Sequence, residues 1–228
     1  MCHRSRGRCF PLGALSGGEL AALLAICAAD QRPAGARDAA VIATLYSTLA
    51  RRSEVVAFHM SDYDAEQGAL RVRRGKGRKA RLTYLAPGAR AALDAWLTVR
   101  GTTEGPLFLP LTKSGWRVLR PMRPQAVAEL LARRTRQAAM AACSPHDLRR
   151  TGIGDLLDAG ADIATVQQLA GHADPSTTAR YDRRGERAKR RATHLLHVPY
   201  VPRSPLPAIL TLCPLWVLSG YWEERGEV

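Results

Sequence analysis

Long apolar runs, paired cysteines and acidic residues are all scarce in this chain of 228 residues. No segment provides the roughly 18 consecutive apolar residues that a membrane-spanning helix needs. The run 206–222 comes nearest, and Pro207 and Pro214 interrupt it. The five cysteines are scattered and never in C-x-x-C spacing, which argues against a disulfide framework and a zinc site. The apolar run 20–29 lacks the cleavage pattern of a signal peptide, so we expect a cytoplasmic protein without a membrane contact.

The shortage of acidic residues leaves the chain strongly basic. It contains 34 Lys and Arg against 20 Asp and Glu, which gives a net charge of +14. Such a charge is usually tolerated where a polyanion is bound, so nucleic acid is the first candidate partner. The alternative is an arginine-rich coding composition, since only four of the basic residues are lysines. With 46% hydrophobic residues the chain can bury a core, and its length fits one large domain.

The spacing of apolar residues predicts an α+β fold that is mainly α, with one small antiparallel β-sheet. Ser16 and Glu19 form a capping box before a run with helical spacing, and Pro87 and Pro124 each begin another helix. Residues 1–15 show no periodicity and are expected to form a loose leader. Further helices are expected over about 37–50, 55–60, 87–100, 124–142 and 183–196, with shorter ones beginning near 145, 162 and 175.

The segments 69–73 and 80–85 alternate between apolar and polar residues, which predicts a β-hairpin. Seven basic residues and no acidic one lie from Arg71 to Arg81, so the tip of this hairpin is basic. Because cationic side chains bind the phosphate backbone of any sequence, we expect the hairpin to contact DNA. The expected DNA contacts are Arg71, Arg73, Arg74, Arg78, Lys79 and Arg81, together with Arg150 from a later helix.

The segment 144–150 predicts a helix that carries an arginine on its apolar side. Ser144 fits the N-cap, with Asp147 as its capping partner three residues later. Arg149 lies on the same stripe as Ile153. A guanidinium in that position needs an anionic partner. A phosphate bound near the helix N-terminus and a structural ion pair with a carboxylate both meet this need.

Several separate runs together resemble one known family. Downstream, HDLRRT at 146–151 is followed by LLDAGADI at 156–163, VQQLAGH at 166–172 and STTARY at 176–181. Upstream, TLARRSE occupies 48–54 and GKG occupies 75–77. In this order and spacing, the runs resemble the catalytic domain of the tyrosine recombinases, the phage integrase family. The likeness covers about residues 16–198.

The resemblance implies DNA strand exchange through a covalent 3′-phosphotyrosyl intermediate. Tyr181 would be the nucleophile. Arg51 and Arg149 would hold the scissile phosphate, since planar guanidinium groups match phosphate oxygens two at a time. Lys76 would protonate the leaving 5′ oxygen, with Lys79 as the weaker candidate for that role.

Both histidines of the matching runs receive roles from the same resemblance. His146 would accept the proton of Tyr181, because a free phenol has a pKa of about 10 and needs a base to attack near neutral pH. His172 would hydrogen-bond the phosphate and help to place the tyrosine. We expect no metal and no cofactor, since arginines and a lysine neutralise charge here and no phosphate-binding glycine loop of the ATPase type occurs.

The resemblance also sets expectations for organisation and partners. Double-stranded DNA would be the substrate, within a synapse of like or unlike chains. The catalytic domain would span 16–198, a tail of unknown role 199–228, and the separate N-terminal DNA-clamping domain of relatives would be missing. The chain departs from the family pattern at Leu49, where relatives have glycine, and at Gly152 and Asp155, where they have bulkier residues and histidine. We expect these departures to displace Arg51 and to loosen the helix that carries Arg149.

Other functions remain open on the sequence alone. A catalytically inactive DNA-binding remnant of an integrase is the first alternative, and trapping of a covalent adduct separates it from an enzyme. An RNA-binding basic protein is the second, and a related topoisomerase that relaxes supercoiled DNA without a specific site is the third.

Overall fold

Helices form most of the computed structural model, which describes residues 3–5, 8–10, 14–73, 80–112, 114–182 and 184–185, together with 190, 193 and 199. The elements below lie within Met1–Gly185, which forms one unit, and Glu186–Val228 forms another. The α+β class with a small antiparallel sheet is confirmed. The helices are α1 (Gly17–Ala29), α2 (Pro33–Thr48), α3 (Arg52–Val56), α4 (Pro87–Arg100), α5 (Pro124–Gln137), α6 (Pro145–Asp158), α7 (Ile163–Ala170) and α8 (Pro175–Ala179).

The bounds of three helices differ from those predicted. Helix α2 runs over Pro33–Thr48 rather than 37–50, because proline is favoured in a first helical turn and Leu49 adopts the left-handed conformation that ends the helix. The helix predicted over 55–60 is α3, which begins at Arg52, because the Glu54 side chain accepts the backbone N–H of Arg51 and caps the turn. The apolar pattern starts only at Val55 and hides this earlier beginning. Helix α5 ends at Gln137 rather than near 142, because Ala139 adopts a positive φ of 50° and stops the helix. The helix predicted over 183–196 lies mostly outside the described residues.

The predicted hairpin is confirmed as part of a three-stranded antiparallel sheet. Its strands are β3 (Tyr63–Asp64), β4 (Ala69–Val72) and β5 (Arg81–Tyr84), in the order β3-β4-β5. Leu70 pairs with Thr83 and Val72 with Arg81. The basic tip at 74–79 lies outside the described residues. Two further strands, β1 (His3–Ser5) and β2 (Arg8–Phe10), pair antiparallel within the segment where the sequence shows no periodicity; three residues are too few to show one.

Helix α2 is the centre of the core. It packs against α1, α4 and α6, and Val41, Ile42 and Leu45 are fully buried along it. Asp38, also fully buried, accepts hydrogen bonds from three arginines, Arg37 on α2 and Arg133 and Arg134 on α5. This ion cluster satisfies the buried carboxylate and ties α5 to the central helix. Among the described residues, no helix is long and apolar enough to cross a membrane.

Helix α6 packs closely against the end of α2, and Leu49 and Gly152 make this close contact possible. Leu49 ends α2 in the left-handed conformation, at φ 54° and ψ 23°, and its side chain is fully buried against Ile153 and Leu157. A Cβ atom added to Gly152 would lie 2.5 Å from the Tyr46 carbonyl oxygen and 2.7 Å from Leu49 Cδ2. The two departures from the family pattern therefore complement each other, since the larger residue at 49 fills the space that the smaller one at 152 leaves.

Gly152→Ala should destabilise the protein by about 1–3 kcal/mol, because the new methyl group must push the backbone of α2 and α6 apart. Gly88→Ala in the first turn of α4 is the matched control. No atom lies within 4 Å of a Cβ at Gly88, so alanine should stabilise the protein by about 0.4–1 kcal/mol through the unfolded state. Urea unfolding of both variants measures the two effects, and equal effects of the same sign would contradict the packing described here.

Candidate active site

Five of the six residues with a predicted catalytic role line one cavity of about 590 Å³. The cavity lies among the start of α3, the start of α6 and the turns on either side of α8. The sixth residue, Lys76, lies outside the described residues. The five residues in the cavity wall are Arg51, His146, Arg149, His172 and Tyr181.

Local sequence signals hold these side chains at helix ends. Ser144 and Asp147 form the predicted capping box of α6, which places His146 in the first turn. Gly171 ends α7 in the left-handed conformation, at φ 64° and ψ 45°, and directs the chain to His172. Tyr181 follows α8, and its backbone N–H donates to the carbonyl oxygen of Thr178 at 3.0 Å.

Arg149 is bound by backbone carbonyl groups. Its side chain is almost fully buried, as the apolar stripe predicts. Nη1 donates to the carbonyl oxygen of Leu49, and Nη2 donates to that of Ala170 at 2.6 Å. Neither of the partners considered from the sequence, a phosphate or a carboxylate, is therefore needed to satisfy these two groups. The partial charges of carbonyl dipoles leave the full positive charge of the guanidinium in the cavity wall.

The cavity is electrostatically prepared for an anion. Burial, and then the positive charges of Arg51 and Arg81, lower the pKa of Arg149 to about 10. The arginines repel one another in the folded protein, and a negatively charged ligand would reduce the free-energy cost of this repulsion. The charge of Glu54 opposes this effect only in part.

Glu54 is a site residue to which the sequence analysis assigned no role. Its side chain is 4% exposed and accepts hydrogen bonds from Nη1 of Arg51 at 2.9 Å and from Nη2 of Arg81 at 2.7 Å. Burial alone would raise the pKa of Glu54, but the hydrogen bonds from Arg81 and Arg51 outweigh it and hold the pKa below its ordinary value. The carboxylate therefore stays ionised and fixes both guanidiniums. The available signal was its place in the matching run 48–54.

The surroundings of both histidines in the cavity wall favour the neutral imidazole. Burial and the charges of Arg149, Arg51 and Arg81 lower the pKa of His172 to about 4. Partial burial, Arg150 and Arg149 lower the pKa of His146 below its ordinary value. A neutral imidazole has a free lone pair, so His146 can accept a proton from a group in the cavity.

His172 and Tyr181 form a stacked pair. Their ring centroids are 6.2 Å apart, with 23° between the ring planes. His172 Nδ1 lies 2.9 Å from Oγ1 of Thr178, a buried residue of α8. When the hydroxyl donates to Nδ1, the imidazole carries its proton on Nε2 and can donate it into the cavity. This contact fixes the histidine to the helix that precedes the tyrosine.

The lowered pKa of His172 predicts a pH-dependent stability. The unfolded chain binds a proton at pH values where the folded protein does not, so stability is full above about pH 6.5 and is lost as the pH falls toward the folded pKa of about 4. In His172→Gln this part of the loss should disappear. Thermal unfolding of both proteins between neutral pH and about pH 5 measures the difference, and identical pH profiles would contradict the burial of this imidazole.

The predicted DNA contacts fall into distinct environments. Arg71 is exposed on β4. The Arg73 side chain is 53% exposed and pairs with Asp62, while Arg150 is half-buried on α6. Arg81 differs from the others, because its side chain is only 11% exposed and pairs with Glu54. Arg74, Arg78 and Lys79 lie outside the described residues.

Within the part of the chain that the structure describes, no group of three His, Cys, Asp or Glu side chains is arranged to hold a metal ion. The cavity lining contains one carboxylate, that of Asp174, beside guanidiniums, imidazoles, two hydroxyl groups and a phenol.

Comparison with known proteins identifies relatives of this chain. The model of the phage integrase family matches residues 14–187. The chain is 39% identical over 150 residues to tyrosine recombinase XerC of Pelobacter propionicus, which covers 64% of this chain and 47% of that protein. It is 39% identical over 146 residues to tyrosine recombinase XerD of Brucella abortus, covering 62% of this chain and 46% of that protein. The chain thus spans about half the length of the curated relatives it matches.

Solved structures show the same fold. The crystal structure of XerA recombinase matches with a TM-score of 0.64 at 24% identity, over 86% of this chain and 67% of that one. The XerH site-specific recombinase, bound to its difH substrate before cleavage, matches with a TM-score of 0.64 at 21% identity, over 82% of this chain and 55% of that one.

Proposed function

Because the chain belongs to the phage integrase family, we propose that it is a site-specific DNA recombinase, which cuts and rejoins strands through a phosphotyrosyl intermediate on Tyr181. The observation that carries the proposal is the convergence of Arg51, Arg149, two imidazoles and this phenol on one cavity. Two guanidiniums suit the non-bridging oxygens of a phosphodiester, because a guanidinium keeps its positive charge at any working pH. A relative 39% identical over 150 residues carries the name tyrosine recombinase, which supports the same reaction.

The proposed reaction begins at the phenol. His146 accepts the proton of Tyr181, and the phenolic oxygen forms a bond to phosphorus while the bond from phosphorus to the 5′ oxygen breaks. Lys76 gives a proton to the leaving 5′ oxygen. A 5′ hydroxyl of another strand then attacks the phosphotyrosine and releases the tyrosine. The number of phosphate ester bonds stays constant, so no external energy source is needed.

The positively charged wall acts on the charge that develops at phosphorus. Arg51 and Arg149 are already fixed by Glu54 and by backbone carbonyl groups, so little reorganisation is needed when the phosphate enters. His172, neutral because of burial and the same arginines, adds one hydrogen bond to a phosphate oxygen. Preorganised donors of this kind typically contribute about 100- to 1,000-fold each to the rate.

The proposal includes the surroundings of this reaction. Residues 16–198 form the catalytic domain, duplex DNA is the substrate, and several protomers assemble in a synapse. Arg71, Arg73, Arg150 and the hairpin tip at 74–79 bind the phosphate backbone near the cut. Cytoplasmic action on DNA belongs to the same proposal. Support comes from a solved relative of similar fold that is described as bound to its difH substrate.

Trapping of a covalent adduct tests the proposal. Duplexes are first selected from a randomised pool by binding to the protein, and a nick is then placed just 3′ of each candidate cleavage position. Cleavage at a nicked site releases a short fragment, so that rejoining fails and the 3′-phosphotyrosyl adduct accumulates. We expect a protein–DNA band that survives denaturation. Binding without an adduct at any nick position would instead favour an inactive DNA-binding protein, and relaxation of plasmids without a specific site would favour a topoisomerase.

A further inference from the structure

Three successive carbonyl groups at the C-terminal end of α7 each accept a hydrogen bond from a different arginine. Nε of Arg81 donates to Leu169 at 2.9 Å. Nη2 of Arg149 donates to Ala170 at 2.6 Å, and Nη2 of Arg51 donates to Gly171 at 3.0 Å. The last carbonyl groups of a helix have no partner within the helix and carry the negative end of its dipole, so they favour cations. The end of α7 thus gathers the positive charge of the cavity.

Arg81 differs from the other two arginines, because it does not line the cavity. Two of its nitrogens form a fork with Glu54, from Nη1 to Oε1 at 3.1 Å and from Nη2 to Oε2 at 2.7 Å. Its third nitrogen is bound to Leu169. With every nitrogen engaged and the side chain 11% exposed, Arg81 is poorly placed to bind a DNA phosphate, which is the role that its position in the basic hairpin predicts.

We propose that Arg81 is a positioning residue, which orients Arg51 and His172 for the phosphate without contacting DNA. This inference rests on the recombinase function proposed above. Arg81 reaches Arg51 through Glu54, which both arginines share. It reaches His172 through Gly171, since a Cβ atom at Gly171 would lie only 2.9–3.1 Å from the Arg81 guanidinium.

Sharing of Glu54 explains why Arg81 affects Arg51. Oε1 of Glu54 accepts from Nη1 of both arginines, and Oε2 accepts from the Arg51 backbone N–H and from Nη2 of Arg81. Without Arg81, the buried carboxylate keeps Arg51 as its remaining cationic partner. Its full charge then holds the Arg51 guanidinium and competes with the phosphate for it.

Gly171 explains why Arg81 affects the turn beyond α7. The glycine has a left-handed backbone and no side chain, so the guanidinium of Arg81 packs directly on it. The same residue binds Arg51 through its carbonyl oxygen. Loss of the guanidinium leaves an open space beside the residue that precedes His172, and a shift of about 1 Å in a reacting group can reduce a rate about 100-fold.

Arg81→Met tests the proposal, since methionine keeps an unbranched chain and removes the charge and the donors. The rate of adduct formation at saturating nicked duplex should fall about 10- to 100-fold. The slope of log affinity against log salt should stay at the wild-type value, whereas loss of a phosphate contact would reduce it by about 0.9. Arg136→Met is the control for loss of an arginine elsewhere, because Arg136 is exposed on α5 and its Nε donates to the carbonyl oxygen of Ala132 in the same helix. The adduct rate of this variant should equal that of the wild type.

A second substitution separates positioning from a general loss of structure. When Glu54→Gln is added to Arg81→Met, the competing charge on Arg51 is removed, so the adduct rate should rise above that of Arg81→Met alone. If Arg81 only stabilised the fold, the adduct rate per folded protein would be unchanged in Arg81→Met, and the second substitution would not raise it. Thermal unfolding of each variant gives its folded fraction, and the adduct rates are compared per folded protein.

Three outcomes would overturn the inference. One is an Arg81→Met protein that forms the adduct at the wild-type rate, and the second is a reduced salt slope, which assigns Arg81 to a DNA phosphate. The third is a double variant whose adduct rate does not exceed that of Arg81→Met. If the recombinase function itself is wrong, the wild-type protein forms no adduct, which distinguishes that failure from all three.

Discussion

Tyr181→Phe should abolish the covalent adduct, with a loss of at least about 10,000-fold in its rate of formation, because no other group can replace the attacking oxygen. The substitution removes one hydroxyl and keeps the ring, which stacks on His172 and packs against the cluster that contains Leu49 and Ile153. We therefore expect unchanged folding and unchanged DNA affinity. The measurement is adduct formation on the nicked duplex under denaturing conditions.

Tyr46→Phe is the control for this prediction. Tyr46 also carries a hydroxyl near α6, where it donates to Oδ2 of Asp155 at 2.9 Å, but it does not line the cavity. Its loss should weaken the contact between α2 and α6 and leave the adduct in place. An adduct that persists in Tyr181→Phe and disappears in Tyr46→Phe would show that Tyr46, and not Tyr181, is the nucleophile.

Arg149→Lys should reduce the adduct rate by about 100- to 1,000-fold at saturating DNA, although the charge is kept. Lysine offers one ammonium group, which cannot bind the carbonyl groups of Leu49 and Ala170 and still present donors to the phosphate. The rate should fall while the salt slope of DNA binding changes little. Single-turnover kinetics with the nicked duplex measure the effect.

Arg100→Lys is the matched control, because Arg100 is equally buried and also donates to backbone carbonyl groups, those of Pro106 and Thr103. It lies at the end of α4, away from the cavity wall. Both substitutions should lower stability, but Arg100→Lys should leave the adduct rate of the folded protein unchanged. Equal rate losses in the two variants would show that Arg149 acts only through the fold.

The sequence predicted the elements that depend on neighbours along the chain. The capping boxes at Ser16 and Ser144 and the turn at Gly171 are present where their local patterns place them. The alternation over 69–73 and 80–85 likewise predicted the paired strands. Caps and helix-ending turns depend on residues within a few positions of one another, so a local sequence pattern is enough to predict them.

The partners of the charged residues depend on distant parts of the chain and were not predicted. Arg149 was expected to need an anion, but it binds the carbonyl oxygen of Leu49, a hundred positions away in sequence. Arg81 was predicted to contact DNA because its neighbours in sequence are basic. In the fold it instead donates to the Leu169 carbonyl oxygen on α7 and to Glu54. Charge composition alone does not distinguish a buried guanidinium from an exposed one.

The departures from the family pattern were expected to loosen the site, and the fold shows a different outcome. Leu49 adopts the left-handed conformation that glycine favours, and its burial against α6 offsets the strain of about 1–3 kcal/mol. Gly152 provides the space for it, and Asp155 bonds Tyr46. Each departure on its own predicts disruption, whereas the three residues are complementary in three dimensions.

Identification of the DNA-linked residue shows which side chain is the nucleophile. The adduct is trapped on a nicked duplex, the DNA is digested to a short remnant, and the modified peptide is sequenced by mass spectrometry. We expect a nucleotide joined through its 3′-phosphate to the phenolic oxygen of Tyr181. A phosphate linkage to any other residue, or a protein that binds duplex DNA without forming the linkage, would contradict it.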